Sequence, residues 1–149
     1  MSPGAAGLSF ELTHTFPASR ERVFRALTEP DELVRWWGPD GFATPSAEVD
    51  LRAGGRYRFA MQPPEGELFH LSGEFREIDP PGRLAYTFVW DPPTPDDRET
   101  LAELTLREVD GGTAVTLVQG PFATEERRAL HEDGWTQSFG RLAAALEET

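Results

Sequence analysis

Between Ala47 and Gln119 the chain alternates apolar and polar residues with a period of two, in six runs: AEVDL, RYRFAM, LFHLSGEFREI, RLAYTFVW, TLAELTLREV and TAVTLVQ. The connections are Ala53-Gly54-Gly55, Pro63-Pro64-Glu65-Gly66, Pro80-Pro81-Gly82, a proline-rich loop from Asp91 to Arg98, and Asp110-Gly111-Gly112. Each is turn chemistry, and most are far too short for the crossover that a parallel neighbour would need. Period two is the geometry of a strand with one buried face. The pattern therefore predicts an antiparallel meander.

One face of that meander is aromatic. Tyr57, Phe59 and Met61 fall on the same side of their run, and Leu84, Tyr86, Phe88 and Trp90 do so in theirs. Ahead of the meander, LSFELTHTF alternates over Leu8–Phe16, placing Leu8, Phe10, Leu12, His14 and Phe16 inward. Ser19 can then cap a short helix whose apolar face is Val23, Phe24, Ala26 and Leu27. Pro30 opens a second short helix with Leu33, Trp36 and Trp37 on one side. A long helix closes the chain from Thr124 to about Leu146, with Trp135, Phe139, Leu142 and Leu146 as its stripe and His131 one turn earlier.

The chain has 149 residues, a size that calls for one hydrophobic core. A flexible lead-in over 1–7 and a single domain over 8–149 are expected. The formal net charge of −12 repels phosphate backbones and anionic lipid surfaces, so nucleic acid is excluded as a partner and membrane insertion is not expected. There is no cysteine, hence no disulfide framework, thiol nucleophile or cysteine-based metal site. The start MSPGAAG lacks the basic and apolar regions of a secretory signal, which gives a cytoplasmic expectation.

The stretches FPASRERVFRALTEPDELVRWWGP, PSAEVDLRAGGRYRF and GEFREIDPPGRLAYTFVW, followed by HEDGW and a leucine-rich helix, carry a resemblance. In that order and spacing, from about Leu8 to Leu146, the chain resembles the branch of the SRPBCC superfamily named after the C-terminal domain of the activator of Hsp90 ATPase. The resemblance implies an α+β helix-grip fold, similar to START and Bet v 1 domains. In it a curved antiparallel sheet of six to seven strands wraps the long C-terminal helix, and a cavity opens near the two short helices. Related members bind lipids, hormones or polyketides and some cyclise polyketides, so the fold alone does not fix the function.

The resemblance bears on the stretch LVRWWGPDGF, where two tryptophans run directly into turn chemistry. It places Trp36 and Trp37 at the mouth of the cavity, one packed under the long helix and the other nearer the opening. The alternative is that both rings simply fill core.

Residues that could carry chemistry are sparse. His14 and His131 face inward, whereas His70 shares its face with Ser72 and Glu74 and points outward. No HExxH or comparable spacing is present, so neither a metal nor any other cofactor is expected. GxSxG is absent, and the glycines of RAGGRYRF belong to a strand connection rather than a phosphate loop. Glu48 and Asp50 flank Val49 and are read as a solvated pair, and Arg56 and Arg58 project from the outer face. Gly134, inside the long helix, implies a close approach of the sheet or of a ligand.

The leading expectation is a small-molecule binding protein with an internal cavity for a hydrophobic, aromatic or lipid-like ligand, and with a stress-related role. Its walls are expected from Trp36, Trp37, Phe42, Tyr57, Phe59 and Phe69, with Tyr86, Phe88, Trp135 and Phe139; His14, His131 and Gln119 are the hydrogen-bonding candidates. The alternative is a cyclase, aromatase or hydrolase in which His14, His131, Tyr57 or Tyr86 moves a proton. A third reading is a chaperone-interacting protein. In the eukaryotic activators, however, this domain accompanies an N-terminal domain that the chain has no room for, so an Hsp90-type partner is not expected. Monomer and homodimer are both compatible with the acidic surface.

Overall fold

The computed structural model describes residues 8–93 and 97–147, so the expected lead-in over 1–7 lies outside the described residues. Along the chain run β1 (Leu8–Phe16), α1 (Arg20–Thr28), α2 (Pro30–Trp36), β2 (Ala43–Val49), β3 (Arg56–Gln62) and β4 (Phe69–Asp79). There follow β5 (Arg83–Asp91), β6 (Thr100–Val109), β7 (Gly112–Phe122) and α3 (Glu125–Glu147).

Each helix begins where side-chain chemistry permits. The Ser19 hydroxyl accepts the Arg22 N–H at 3.1 Å, Pro30 opens α2, and the Thr124 hydroxyl accepts the Arg127 N–H at 3.1 Å. Glu125 and Glu126 add negative charge to the first turn of α3. Arg22 on α1 meets Glu32 on α2 at 3.2 Å and ties the two short helices together.

The strands form one antiparallel, curved sheet in the order β1-β7-β6-β5-β4-β3-β2. Strands β2 to β7 are the predicted meander, and β1 pairs with β7, so β1 and β2 are the edges. The first meander strand differs from its expected span of 47–51. It starts at Ala43 and takes in Pro45, with a register shift between Ala43 and Ser46. An edge strand tolerates the missing N–H of Pro45, which is why a proline-containing segment pairs here. Asp50 is thereby left in the connection, where it accepts from the Arg52 side chain at 2.9 Å instead of sharing a strand face with Glu48.

Strand β4 shifts register against β5 between Phe75 and Glu77, just beyond Gly73. A Cβ at Gly73 would lie 1.9 Å from the Thr87 carbonyl oxygen and 2.7 Å from the Tyr57 ring, so only glycine fits between those two groups. The Tyr57 hydroxyl donates to that same Thr87 carbonyl. On the outer face Arg83 reaches Glu77 and Glu103 across three strands, and Arg58 lies 3.6 Å from Asp91.

Helix α3 packs against β1, β7 and α2. Phe139 meets the Phe16 ring edge-on with centroids 5.4 Å apart, and Leu142 and Leu146 are buried farther along. No helix among the described residues is long and apolar enough to cross a membrane.

Candidate functional site

The first half of α3 stands off from the central strands and leaves a cavity of about 770 Å³. Four segments wall it. The α2–β2 loop contributes Trp37, Gly38, Pro39 and Phe42; β3 and the start of β4 contribute Met61 and Phe69, with Glu67 and Leu68 before them. Strand β5 brings Phe88 and Trp90, followed by Pro92 and Asp97 in the proline-rich loop. Helix α3 brings Arg127, Leu130, His131 and Asp133 toward the mouth, then Gly134, Trp135, Gln137 and Ser138.

The α2–β2 loop is held by α3. The Arg141 guanidinium donates to the Gly38 and Pro39 carbonyls, each at 2.9 Å, and to that of Trp37 at 3.4 Å. The Thr44 hydroxyl also donates to the Trp37 carbonyl, and the Asp40 N–H donates to Gln137 Oε1 at 2.9 Å. Gly38 has φ +104°, which lets the chain leave α2 sharply enough for these contacts. The consequence is a Trp37 ring fixed between Phe59, Trp36 and Trp135, at centroid distances of 4.9, 5.3 and 5.1 Å.

His131 is held in one tautomer. Its Nδ1–H donates to the Arg127 carbonyl at 2.8 Å, and its Nε2 accepts the Trp90 indole N–H at 2.9 Å. Burial lowers its pKa below the ordinary 6.5, against the opposing pull of the Arg127 carbonyl and of the Asp97 charge. Arg127 and Asp97 are 3.6 Å apart. Behind the wall, Gln119 accepts the Trp135 indole N–H at 2.7 Å and donates to Thr100 at 2.9 Å, which fixes the orientation of Trp135.

Of the residues expected to bind ligand, the structure brings Trp37, Phe42, Phe69, Phe88, Trp135 and His131 to the cavity wall. It places the other seven elsewhere. Trp36 is 1% exposed and donates its N–H to the Ala26 carbonyl at 2.9 Å, so it is core, and only Trp37 of the pair faces the opening. Tyr57, Phe59 and Tyr86 surround a void of about 10 Å³ at the far end of the sheet, closed by Leu27, Thr28, Leu33, Val49 and Phe75. Burial raises the pKa of both tyrosines, which keeps their phenols neutral. Phe139 of α3 packs against His14 of β1, with the His14 ring 4.4 Å from that of Phe16 and both its nitrogens unpartnered among the described residues. Gln119 supports Trp135 from behind, as above.

Sequence reasoning left out Trp90 and Met61, although both were on the correct strand faces. It also passed over Asp97, which lies in a loop with no periodicity to follow, and Arg127, which helical spacing puts one turn before His131 on the same face of α3. Gly134 is not explained by the sheet: a Cβ there would meet only Pro39 Cγ, at 3.8 Å. It borders the cavity instead. Among the described residues no group of three or more His, Cys, Asp or Glu side chains is placed to hold a metal ion.

Solved structures of similar shape include several bacterial proteins. A Chromobacterium violaceum protein superposes with a TM-score of 0.86 at 28% identity, covering 93% of this chain and 96% of its own. A Nitrosomonas europaea protein gives 0.80 at 30% identity, with 95% of each chain covered. A Silicibacter pomeroyi protein named for the activator of Hsp90 ATPase homologues gives 0.81 at 27% identity, covering 94% of this chain and 98% of its own. No curated protein matches. The sequence profile of the activator of Hsp90 ATPase homolog 1-like proteins matches residues 17–147, which takes in every wall of the cavity, and the chain belongs to that family, of the SRPBCC helix-grip type.

Proposed function

We propose that this protein binds a small, largely apolar molecule in the cavity between the sheet and the first half of α3. The observation that carries this is a volume of about 770 Å³ walled by Trp37, Phe42, Phe69, Phe88, Trp90 and Trp135. Sites for drug-sized ligands span ~300–1,000 Å³ with apolar walls and few polar groups. Leu68 and Leu130, 42% and 56% exposed at the mouth, extend the apolar surface outward, where a longer ligand would rest.

The enzyme reading has less support. A proton-moving group must reach the reacting atom. Tyr57, Tyr86 and His14 stand away from the cavity, and His131 has both nitrogens committed to Arg127 and Trp90. The binding reading accounts for the same residues without a free acid or base.

Two measurements test it together: native mass spectrometry of the protein from its own source, and titration with the neutral dye Nile red. A non-covalent mass on the isolated chain, or saturable one-to-one dye binding, is the expected result. A bare chain together with a linear, unsaturable dye response would overturn it.

A further inference from the structure

The four tryptophans differ in what their indole N–H groups meet. Trp36 donates to the Ala26 carbonyl, Trp90 to His131 Nε2 and Trp135 to Gln119 Oε1, at 2.9, 2.9 and 2.7 Å. The Trp37 ring is as withdrawn from water as that of Trp135, each 5% exposed, and its N–H has no acceptor among the described residues; its nitrogen is not one of the buried polar atoms left without a partner, so water reaches it. A guest that filled the cavity without offering an acceptor would displace that water and leave the donor unpaired.

The ring cannot turn to find one. Three aromatic neighbours fix it within 5.3 Å, and the carbonyls of its own loop already accept from Arg141 and Thr44. The one open side is the cavity that Trp37 lines.

Resting on the binding reading above, we propose that the ligand supplies an acceptor in place of that water. It is an apolar, ring-containing molecule with an uncharged oxygen acceptor, such as a ketone, ester or amide carbonyl, which accepts the Trp37 indole N–H. Charge sets the uncharged condition. Glu67, Asp97 and Asp133 line the same cavity against a single guanidinium, that of Arg127, which already lies 3.6 Å from Asp97. A carboxylate or phosphate on the ligand would meet an excess of negative charge in a partly dry site. This answers the question posed by the tandem tryptophans: Trp36 closes the core with a satisfied N–H, and Trp37 presents its own to a guest.

Fluorenone and fluorene, rigid tricycles differing by one carbonyl, are the probes. The readout is the set of indole cross-peaks in a proton–nitrogen correlation spectrum of the whole protein, with Trp37 assigned by its loss in Trp37→Phe. Fluorenone is expected to move the Trp37 cross-peak downfield and to bind about fivefold more tightly than fluorene, the worth of one net hydrogen bond. That preference should fall to about one in Trp37→Phe, and a fluorenone carboxylate should bind more weakly than fluorenone. Equal binding of both tricycles with an unmoved Trp37 cross-peak would overturn the donor role and leave the apolar cavity standing. Tighter binding of the carboxylate would overturn the uncharged condition. Binding of neither tricycle by a protein that binds Nile red saturably would overturn this inference and leave the reading beneath it standing; the same result with a bare chain and an unsaturable dye response would remove both. Should Trp37→Phe fail to fold, the cross-peak shift and the affinity ratio in the unaltered protein decide alone.

Discussion

The two ends of the aromatic sheet face are built from the same residue types and end in opposite states. At one end Tyr57, Phe59, Phe75 and Tyr86 close around a void of about 10 Å³ under Leu27 and Leu33 of the short helices. At the other end Met61, Phe69, Phe88 and Trp90, a few residues along the same strands, wall about 770 Å³. Hydrophobicity does not distinguish them. What differs is the cover: α1 and α2 press onto the first end, while at the second α3 stands off and the α2–β2 loop is held back by Arg141 and Gln137. A cavity of this kind is a property of how the cover is tethered, not of the residues beneath it.

The sharpest way to break the comparison is to delete the same ring at each end of one strand. Phe75 and Phe69 point to the same face of β4; the first is 4% exposed among Tyr57 and Tyr86, whereas the second borders the cavity beside Phe42 and Trp90. Phe75→Ala should cost about 3–5 kcal/mol in chemical denaturation, since its neighbours cannot collapse into the space. Phe69→Ala should cost under about 2 kcal/mol, because part of that ring faces no protein atoms, and it should weaken Nile red binding. Equal losses of stability would mean that both ends are packed alike.

How far the sequence could reveal these two ends follows from the same residues. Alternation named the correct face of β3, β4 and β5, and Ser19, Pro30 and Thr124 placed the helix starts, so the fold was legible from local rules. Distance along a strand was not. Period two treats Tyr57 and Met61, or Tyr86 and Trp90, as equivalents, and only the cover separates them. That cover depends on Arg141 reaching Trp37, Gly38 and Pro39 across about a hundred residues of chain, a pairing that no spacing rule announces. Gln119 was expected among the cavity's hydrogen-bonding groups, whereas its side chain is spent behind the wall on Trp135 and Thr100, a pairing across the core that strand alternation does not announce.

A smaller effect separates the ends by pH. At the open end, burial lowers the pKa of His131, so the native state stays neutral while the unfolded chain takes up a proton below about pH 6.5. The unfolded state then binds more protons, and stability falls as pH drops, by at most about 1.4 kcal/mol per unit, until the lower native pKa is reached. At the closed end burial raises Tyr57 and Tyr86, so their contribution is complete below pH 10 and is lost as pH rises above it. His131→Gln, whose amide can still accept from Trp90, should therefore lose less Tm than the unaltered protein between about pH 7.5 and pH 5, with the same loss in alkali. His14, also lowered by burial, is present in both proteins and cancels in the difference. Parallel acid curves for the two proteins would show that His131 is not held neutral by the fold.

The smallest expected effect isolates the cavity from the helix that bounds it. Gly134 and Gly140 both interrupt α3, and each forgoes about 1 kcal/mol of helix propensity relative to alanine. A Cβ at Gly140 meets nothing within 4 Å, and one at Gly134 meets only Pro39 Cγ at an ordinary 3.8 Å. Neither methyl is opposed by packing, so both alanine variants should be more stable, by about 0.5–1 kcal/mol in chemical denaturation. They part company in binding. Gly140 is exposed and away from the cavity, so Gly140→Ala should leave Nile red affinity unchanged. Gly134 lies on the wall between His131 and Ser138, where an added methyl takes up cavity space beside Pro39, so Gly134→Ala should gain stability and lose affinity. A glycine kept in a helix at the expense of stability is accounted for when its replacement fills a needed space. Equal stabilisation with unchanged affinity in both variants would mean that Gly134 is an ordinary tolerated glycine and that the guest sits nearer the mouth, against Leu68 and Leu130.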